Sequence, residues 1–231
     1  LQFNVTLSLP YVPSSYSRTR GIKSLRSSAK NFMHTLDIPQ DRYFVESVDF
    51  TATNQAILSG SISADSVVMQ TTNALIAGEF TVNKLLDLQT KNGHIDPING
   101  HLDLQSTASN GKGGHFRVNA RTSNSPILLK NEQLSLEATL ALEARSTNSP
   151  VDVVLAPAFE GSFSLATTNQ GAVARQINYA DPARRGRKRN VTIDTTGPRS
   201  SGFATWSKDG TEKGCGEVSL ASVNSPVTLY L

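Results

Sequence analysis

Apolar and polar residues alternate along most of the chain, and one polar corner interrupts the alternation repeatedly. The segments SVVMQT (66–71), KLLDLQT (84–90), FRVNART (116–122), LALEARS (140–146), SFSLATT (162–168) and EVSLAS (217–222) each carry hydrophobic side chains at every second position. A period of two turns one face of an extended strand into a core and the other into solvent. Stripes of helical period are almost missing. The main candidate, NEQLSLEATLALEA (131–144), sets Leu134, Leu136, Leu140 and Leu142 on one parity, as a strand would.

Each alternating segment ends in a hydroxyl-rich step and an asparagine, followed by a second short apolar run such as ILL (127–129), VDVVL (151–155) or VTLYL (227–231). The corner asparagines are Asn54, Asn73, Asn92, Asn124, Asn148, Asn169 and Asn224, at steps of 19, 19, 32, 24, 21 and 55 residues. The step of 32 contains NGHLDLQSTASNGKGG (99–114), read as an inserted loop. The step of 55 contains IDTTGPRS, where Gly197 before Pro198 reads as a corner with glycine in place of asparagine. Asparagine tolerates the left-handed conformation a corner needs. The proline that follows at three corners keeps the exit extended.

A period near 20 residues is too short for a βαβ unit. The expected class is all-β, as a parallel β-solenoid (β-helix) with coils of about 19–28 residues; the alternative is an antiparallel β-sandwich. A recurring corner favours the solenoid, because stacked asparagines about 4.8 Å apart can ladder through their amides. Eight coils would make a rod on the order of 38 Å long. Residues 1–45 stand outside the repeat. PYVPSSYSRTRGIKSLRSSAKN (10–31) is punctuated by Pro and Ser and predicts a linker or cap, with the repeat domain over 46–231.

Charge changes the picture only locally. The net charge is +3 and the pI near 9.1. Ten basic residues form two runs, Arg18, Arg20, Lys23, Arg26 and Lys30, then Arg184, Arg185, Arg187, Lys188 and Arg189. Setting these aside leaves 12 basic residues against 19 acidic, a net −7 for the remainder. No basic stripe interleaved with aromatics marks a nucleic-acid face, and no nucleic-acid partner is expected. The single Cys215 allows no internal disulfide and is expected to be a small buried side chain. No run of about 18 apolar residues is found, so any membrane attachment would need a segment outside this chain. The abrupt start at Leu1, inside the strand-like LQFNVTLSLP, reads as a processed product. Asn4 and Asn190 head the acceptor triplets for N-glycosylation.

The candidate chemistry is sparse. His94, Asp96, His101 and Asp103 lie close together in GHIDPINGHLD, but at no familiar metal-ligand spacing; His34 and His115 stand apart. Asp65, Glu79, Asp87, Glu143 and Asp152 are scattered, although stacking could align them into the carboxylate cluster of a carbohydrate-cleaving solenoid. NGKGGHF at Asn110 matches a calcium-repeat pattern only in its glycines. No catalytic, cofactor-binding or metal-ligating residue is assigned, and no cofactor is expected.

The S/T-N-x-P-(I/V) corners, FEGSFSLATTN (159–169), the stretch from Asp181 to Arg189 and the SLASVNSPVTLYL ending resemble fungal, basidiomycete-type adhesin-like proteins of the DUF4097 type. The resemblance covers roughly 45–231. It implies a β-solenoid ectodomain, a cell-surface or extracellular location and no catalytic residues. The expectation is a non-enzymatic structural or adhesive element. Its partners would be further copies of itself, joined end to end into a filament through the terminal strands, or a cell-wall glycan. The alternative function is a carbohydrate-active enzyme or glycan-binding module on the same scaffold.

Overall fold

A computed structural model describes residues 9, 20–39, 41–96, 101–207 and 214–231. These form seventeen strands and, among the described residues, no helix. The strands are β1 (Arg20–Ser28), β2 (His34–Asp37), β3 (Tyr43–Thr51), β4 (Ile57–Gln70), β5 (Ile76–Gln89), β6 (Ile95–Asp96), β7 (Leu102–Leu104), β8 (His115–Arg121) and β9 (Ile127–Leu134). There follow β10 (Thr139–Ser146), β11 (Val151–Val154), β12 (Gly161–Ala166), β13 (Ala172–Arg175), β14 (Lys188–Thr196), β15 (Arg199–Ser207), β16 (Gly216–Ser222) and β17 (Val227–Tyr230). All pairings are parallel except β12–β15 and β14–β15. The antiparallel sandwich is therefore not the architecture.

Three parallel ladders surround one core. The residues ahead of the corners pair in the order β1, β3, β4, β5, β8, β10, β16, β12. Leu25, Val48, Val67, Leu86, Val118, Leu142, Val218 and Phe163 face inward there at matching register. Residues after the corners pair in the order β2, β4, β5, β6, β9, β11, β17, β13. Ile57, Ile76, Ile95, Ile127, Val151 and Val227 form their buried column, between His34 at one end and Ala172 at the other. Each such side chain contributes about 1.5–3 kcal/mol through burial. Branched side chains recur because they pack well between extended neighbours. The third ladder joins β4, β5, β7 and β9, with Ile62, Phe80 and Leu102 inward and in register with Asn131.

Strand order departs from chain order at one place. The last unit, β16–β17, does not add to the end of the stack. It lies between β10–β11 and β12–β13, paired in parallel on both sides. The connection from β13 instead leads to the β14–β15 hairpin, whose inner strand pairs antiparallel with the outer side of β12. Two expectations are corrected here. Gly197 is no corner of the repeat: with φ of +59° it forms, together with Pro198, the tight turn of this hairpin, and Thr196 pairs with Arg199 across it. The C-terminal strand is no free end for filament growth, because β17 already has β11 on one side and β13 on the other.

The N-terminal boundary also moves. β1 and β2, inside the segment read as a linker or cap over 1–45, pair in register with β3 and β4. The pairing is carried by Ile22, Leu25, His34 and Leu36, whose alternation is diluted by serine and charge. β1 pairs only with β3 among the described residues, and Arg20, Lys23 and Arg26 are exposed along it, a charged edge of the kind that discourages further strand addition.

Candidate functional site

The corners build one continuous polar row. Asn54 Nδ2 donates to Asn31 Oδ1, and the pattern repeats through Asn73, Asn92, Asn124, Asn148, Asn224 and Asn169, every bond 2.7–2.8 Å long. Seven amide bonds thus join eight side chains, all donated in one direction. Sequence reasoning missed Asn31. Its signal is faint, because His34 stands where each other corner has the first residue of its apolar run, and Phe32 and Met33 before it are exposed. Beneath the row, Thr71, Thr90 and Thr122 each donate to backbone carbonyls of the preceding corner. The carbonyls of Gln55, Ala74 and Gly93 gain a donor in this way, while those of Thr53, Thr72 and Lys91 also accept from backbone N–H groups of the next corner. The row is spent on itself, which makes it structural.

The chemistry gathers on the outer side of the third ladder. Glu79 and Thr81 flank the buried Phe80 on β5; His101 and Asp103 flank the buried Leu102. Together, Glu79, Phe80, Thr81, His101 and Asp103 line a cavity of about 170 Å³. A bulge on β9 turns Asn131 inward, so that Asp103 pairs with Gln133. The Asn131 amide donates to the carbonyls of Leu102 and Gln133 at 2.8 Å. Next to it, Glu132 bonds to His101 Nδ1 at 2.6 Å and to the Lys130 ammonium.

The two carboxyls are driven apart. Burial, followed by the charge of Glu132, raises the Asp103 carboxyl above its ordinary value, against the charge of His101 and a hydrogen bond from the Gln133 N–H, and its Oδ1 is shut off from solvent. Glu132 is lowered, first by the hydrogen bond from Lys130 and then, against some burial, by that from His101. Along the same strands lies a second cavity of about 290 Å³, lined by Leu104, Gln105, Ser106, Gly111, Gln133, Leu134 and Ser135. The stretch read as an inserted loop over 99–114 contributes Gln105, Ser106 and Gly111 to its wall, but its Leu102–Leu104 is a strand, β7, paired with β5 and β9.

A further charged cluster ties the β14–β15 hairpin to the body. Arg187 bridges Asp181 at 3.0 Å and Glu160 at 3.1 Å. Glu160 also accepts from the Trp206 backbone N–H and the Thr205 hydroxyl, both at 3.1 Å. Burial pushes the Asp181 carboxyl up, but hydrogen bonds from the Arg187 guanidinium and from the N–H groups of Arg187, Arg185 and Ala183 outweigh it and hold the carboxyl far below its ordinary value. Arg189 lies over the Trp206 ring at 5.2 Å and donates to the Phe159 carbonyl at 2.6 Å, with burial lowering its guanidinium to about 10. The basic run is therefore partly a latch.

The other residues singled out by sequence lie apart. His34 is buried at the head of β2, edge-on to Phe50 and hydrogen-bonded to Ser27. His94 stands at a corner and His115 is exposed on β8. Asp96 is on β6, opposite Ala77. Asp65 pairs with Lys84, Asp87 accepts from Gln89, and Glu143 holds Arg121 and Arg145. Asp152 pairs in register between Leu128 and Thr228. Among the described residues no group of three His, Cys, Asp or Glu is placed to hold a metal ion. Asn190 is exposed on β14, opposite Thr205; Asn4 lies outside the described residues. Cys215, expected to be buried, is exposed. No protein-family model, no curated protein and no solved structure matches this chain.

Proposed function

We propose that the chain is a β-solenoid serving as a structural or adhesive element at the cell surface or outside the cell, of the fungal adhesin-like type. The reading is carried by the asparagine row: a stack whose corner amides are consumed in bonding to each other presents long, regular outer faces without committing them to chemistry. Parallel ladders with a period near 20 residues support the solenoid. The exposed acceptor Asn190 fits a secretory route. Filament growth through the terminal strands is not part of this reading, since β17 is enclosed.

Labelling intact producing cells with a membrane-impermeant reagent tests the location. Modification of the chain without permeabilisation is expected. Modification only after lysis rejects the reading. Beads coated with the purified protein should then adhere to the cells' walls more than beads coated with a protein of matched charge.

One observation favours a second reading, a carbohydrate-active enzyme: Glu79 and Asp103 line one cavity, with Glu132 beside it. Release of reducing ends from wall polysaccharide, lost in Glu132→Gln, would support it.

A further inference from the structure

The first ladder, continued from β12 through β15, begins at β1 and ends at β14. Among the described residues β14 pairs with β15 alone, so its other side is an open edge. Thr196 and Arg199 close a two-residue turn and exchange hydrogen bonds, and alternation carries the same bonding to Asp194, Thr192, Asn190 and Lys188. The backbone N–H and C=O groups of Arg189, Val191 and Ile193 therefore point away from β15. The side chains of Arg189 and Val191 turn toward the body, where Arg189 bonds to the Phe159 carbonyl and Val191 packs against the core. Every other residue of β14 is exposed. Ile193 shares the parity of Val191 and is still 42% exposed.

Native folds shield such edges. β1, at the far end of the ladder, carries Arg20, Lys23 and Arg26 and no acid, so a second β1 is repelled in any register. β14 carries both signs: Lys188 near its start and Asp194 near its end. Their spacing selects a partner. A second copy, turned about a two-fold axis through Val191, lays its own β14 antiparallel against the first. Val191 then meets Val191, Arg189 meets Ile193, Asn190 meets Thr192 and Lys188 meets Asp194, the last three pairs each formed twice. The outward groups of Arg189, Val191 and Ile193 bond to their counterparts, giving about six hydrogen bonds between the copies. Residues directly opposite share a face of the sheet, so each ammonium lies beside a carboxylate. An axis through Arg189 or Ile193 keeps the bonding pattern but parts Lys188 from Asp194. An axis between residues sets outward backbone groups against groups already bonded to β15.

We propose that the open edge of β14 is the interface of a closed two-fold dimer of this chain, its register set by Lys188 of each copy against Asp194 of the other. The half-exposed Ile193 is covered in the pairing. The dimer depends on the hairpin and not on where the protein works. A glycan on Asn190 would stand against Thr192 of the second copy, so the unmodified chain is the form that pairs.

The test is sedimentation equilibrium of the full chain, made without glycosylation, from low micromolar to submillimolar concentration. A reversible monomer–dimer equilibrium is expected with no larger species, because an isologous pair closes on itself. Lys188→Glu places like charges opposite each other twice and should weaken the dimer about tenfold or more. Combining Lys188→Glu with Asp194→Lys restores the complement and should recover it. Ile193→Pro removes an N–H that β15 does not use, and should abolish the dimer with little change in Tm. A chain that stays monomeric throughout overturns the proposal. So does a dimer that Lys188→Glu leaves intact, one that the double exchange fails to recover, or one that keeps its full strength with a glycan on Asn190. Growth beyond the dimer overturns it as well, since that requires β14 to pair with some other edge.

Discussion

Asn224 Nδ2 donates to Asn148 Oδ1 at 2.7 Å although 76 residues separate them, and the same Asn224 accepts from Asn169. The last corner of the chain is thus an interior link of the row. The unit that carries it fills the space between two others that would otherwise stand two strand spacings, roughly 9.6 Å, apart.

Asn148→Ala should remove two exposed amide bonds and lower stability by about 1 kcal/mol, a fall in Tm of about 2–4 °C for a chain of this size. Asn148→Asp should cost more, about 2 kcal/mol, because a carboxylate cannot donate to Asn124 Oδ1 and instead faces it. Asn31→Ala, at the end of the row, removes one bond and should cost about half as much as Asn148→Ala. Thermal unfolding of the three variants orders them. An Asn148→Ala protein with unchanged Tm and lost adhesion would make the row a binding face.

β12 meets β16 where Gly161 lies opposite Gly216, and a Cβ on Gly161 would stand 2.1 Å from the Gly216 carbonyl oxygen. Gly161→Ala should therefore force β12 away from the inserted unit and cost about 3 kcal/mol. Gly21→Ala on β1, with nothing within 4 Å of its Cβ, should change Tm little. Denaturant midpoints compare them directly.

Asp181 carries acid sensitivity. Its folded-state pKa lies below its unfolded value of 3.8, so its stabilising contribution is complete above that value and is lost as pH falls below it. Asp181→Ala should cost about 2 kcal/mol at pH 7, because it removes the charged hydrogen bonds between Asp181 and Arg187 while Glu160 still pairs with the guanidinium. The gap from wild type should shrink as pH drops below about 4. Parallel pH titrations of Tm measure this.

Asp103 has the opposite sign. Its folded-state pKa is raised, so the cost of its ionisation is present at neutral pH and relieved as pH falls through that value. Asp103→Asn should match or exceed wild-type stability at pH 7, and the difference should vanish near pH 4.

Much of the corner row was legible in the chain, because each asparagine keeps its local surroundings, a hydroxyl-rich step before it and an apolar run after. Asn31 follows Ala29-Lys30 and has His34 in place of the first apolar residue of the run, and it escaped. The side-chain cluster on the outer face of the third ladder was only half legible. His101 and Asp103 are neighbours in sequence and drew notice, but Glu132 lies 31 residues from His101 and no spacing links them. Their meeting depends on the pairing of β7 with β9 and on the bulge at Asn131.

By itself, the amino-acid sequence determined most of the strands, their inward faces and seven of the eight asparagine corners, because alternation and turn chemistry act over a few residues. Only the tertiary structure decided which strand lies beside which. The β16–β17 unit offers the same alternating face whether it ends the stack or enters it. What places it inside is the fit of Gly216 against Gly161, together with a hairpin that already occupies the outer side of β12. Register across distant strands also set the outer-face chemistry, bringing Asp103 beside Gln133 and His101 to Glu132, and that depends on hydrogen bonds between segments whose separation along the chain carries no record of it.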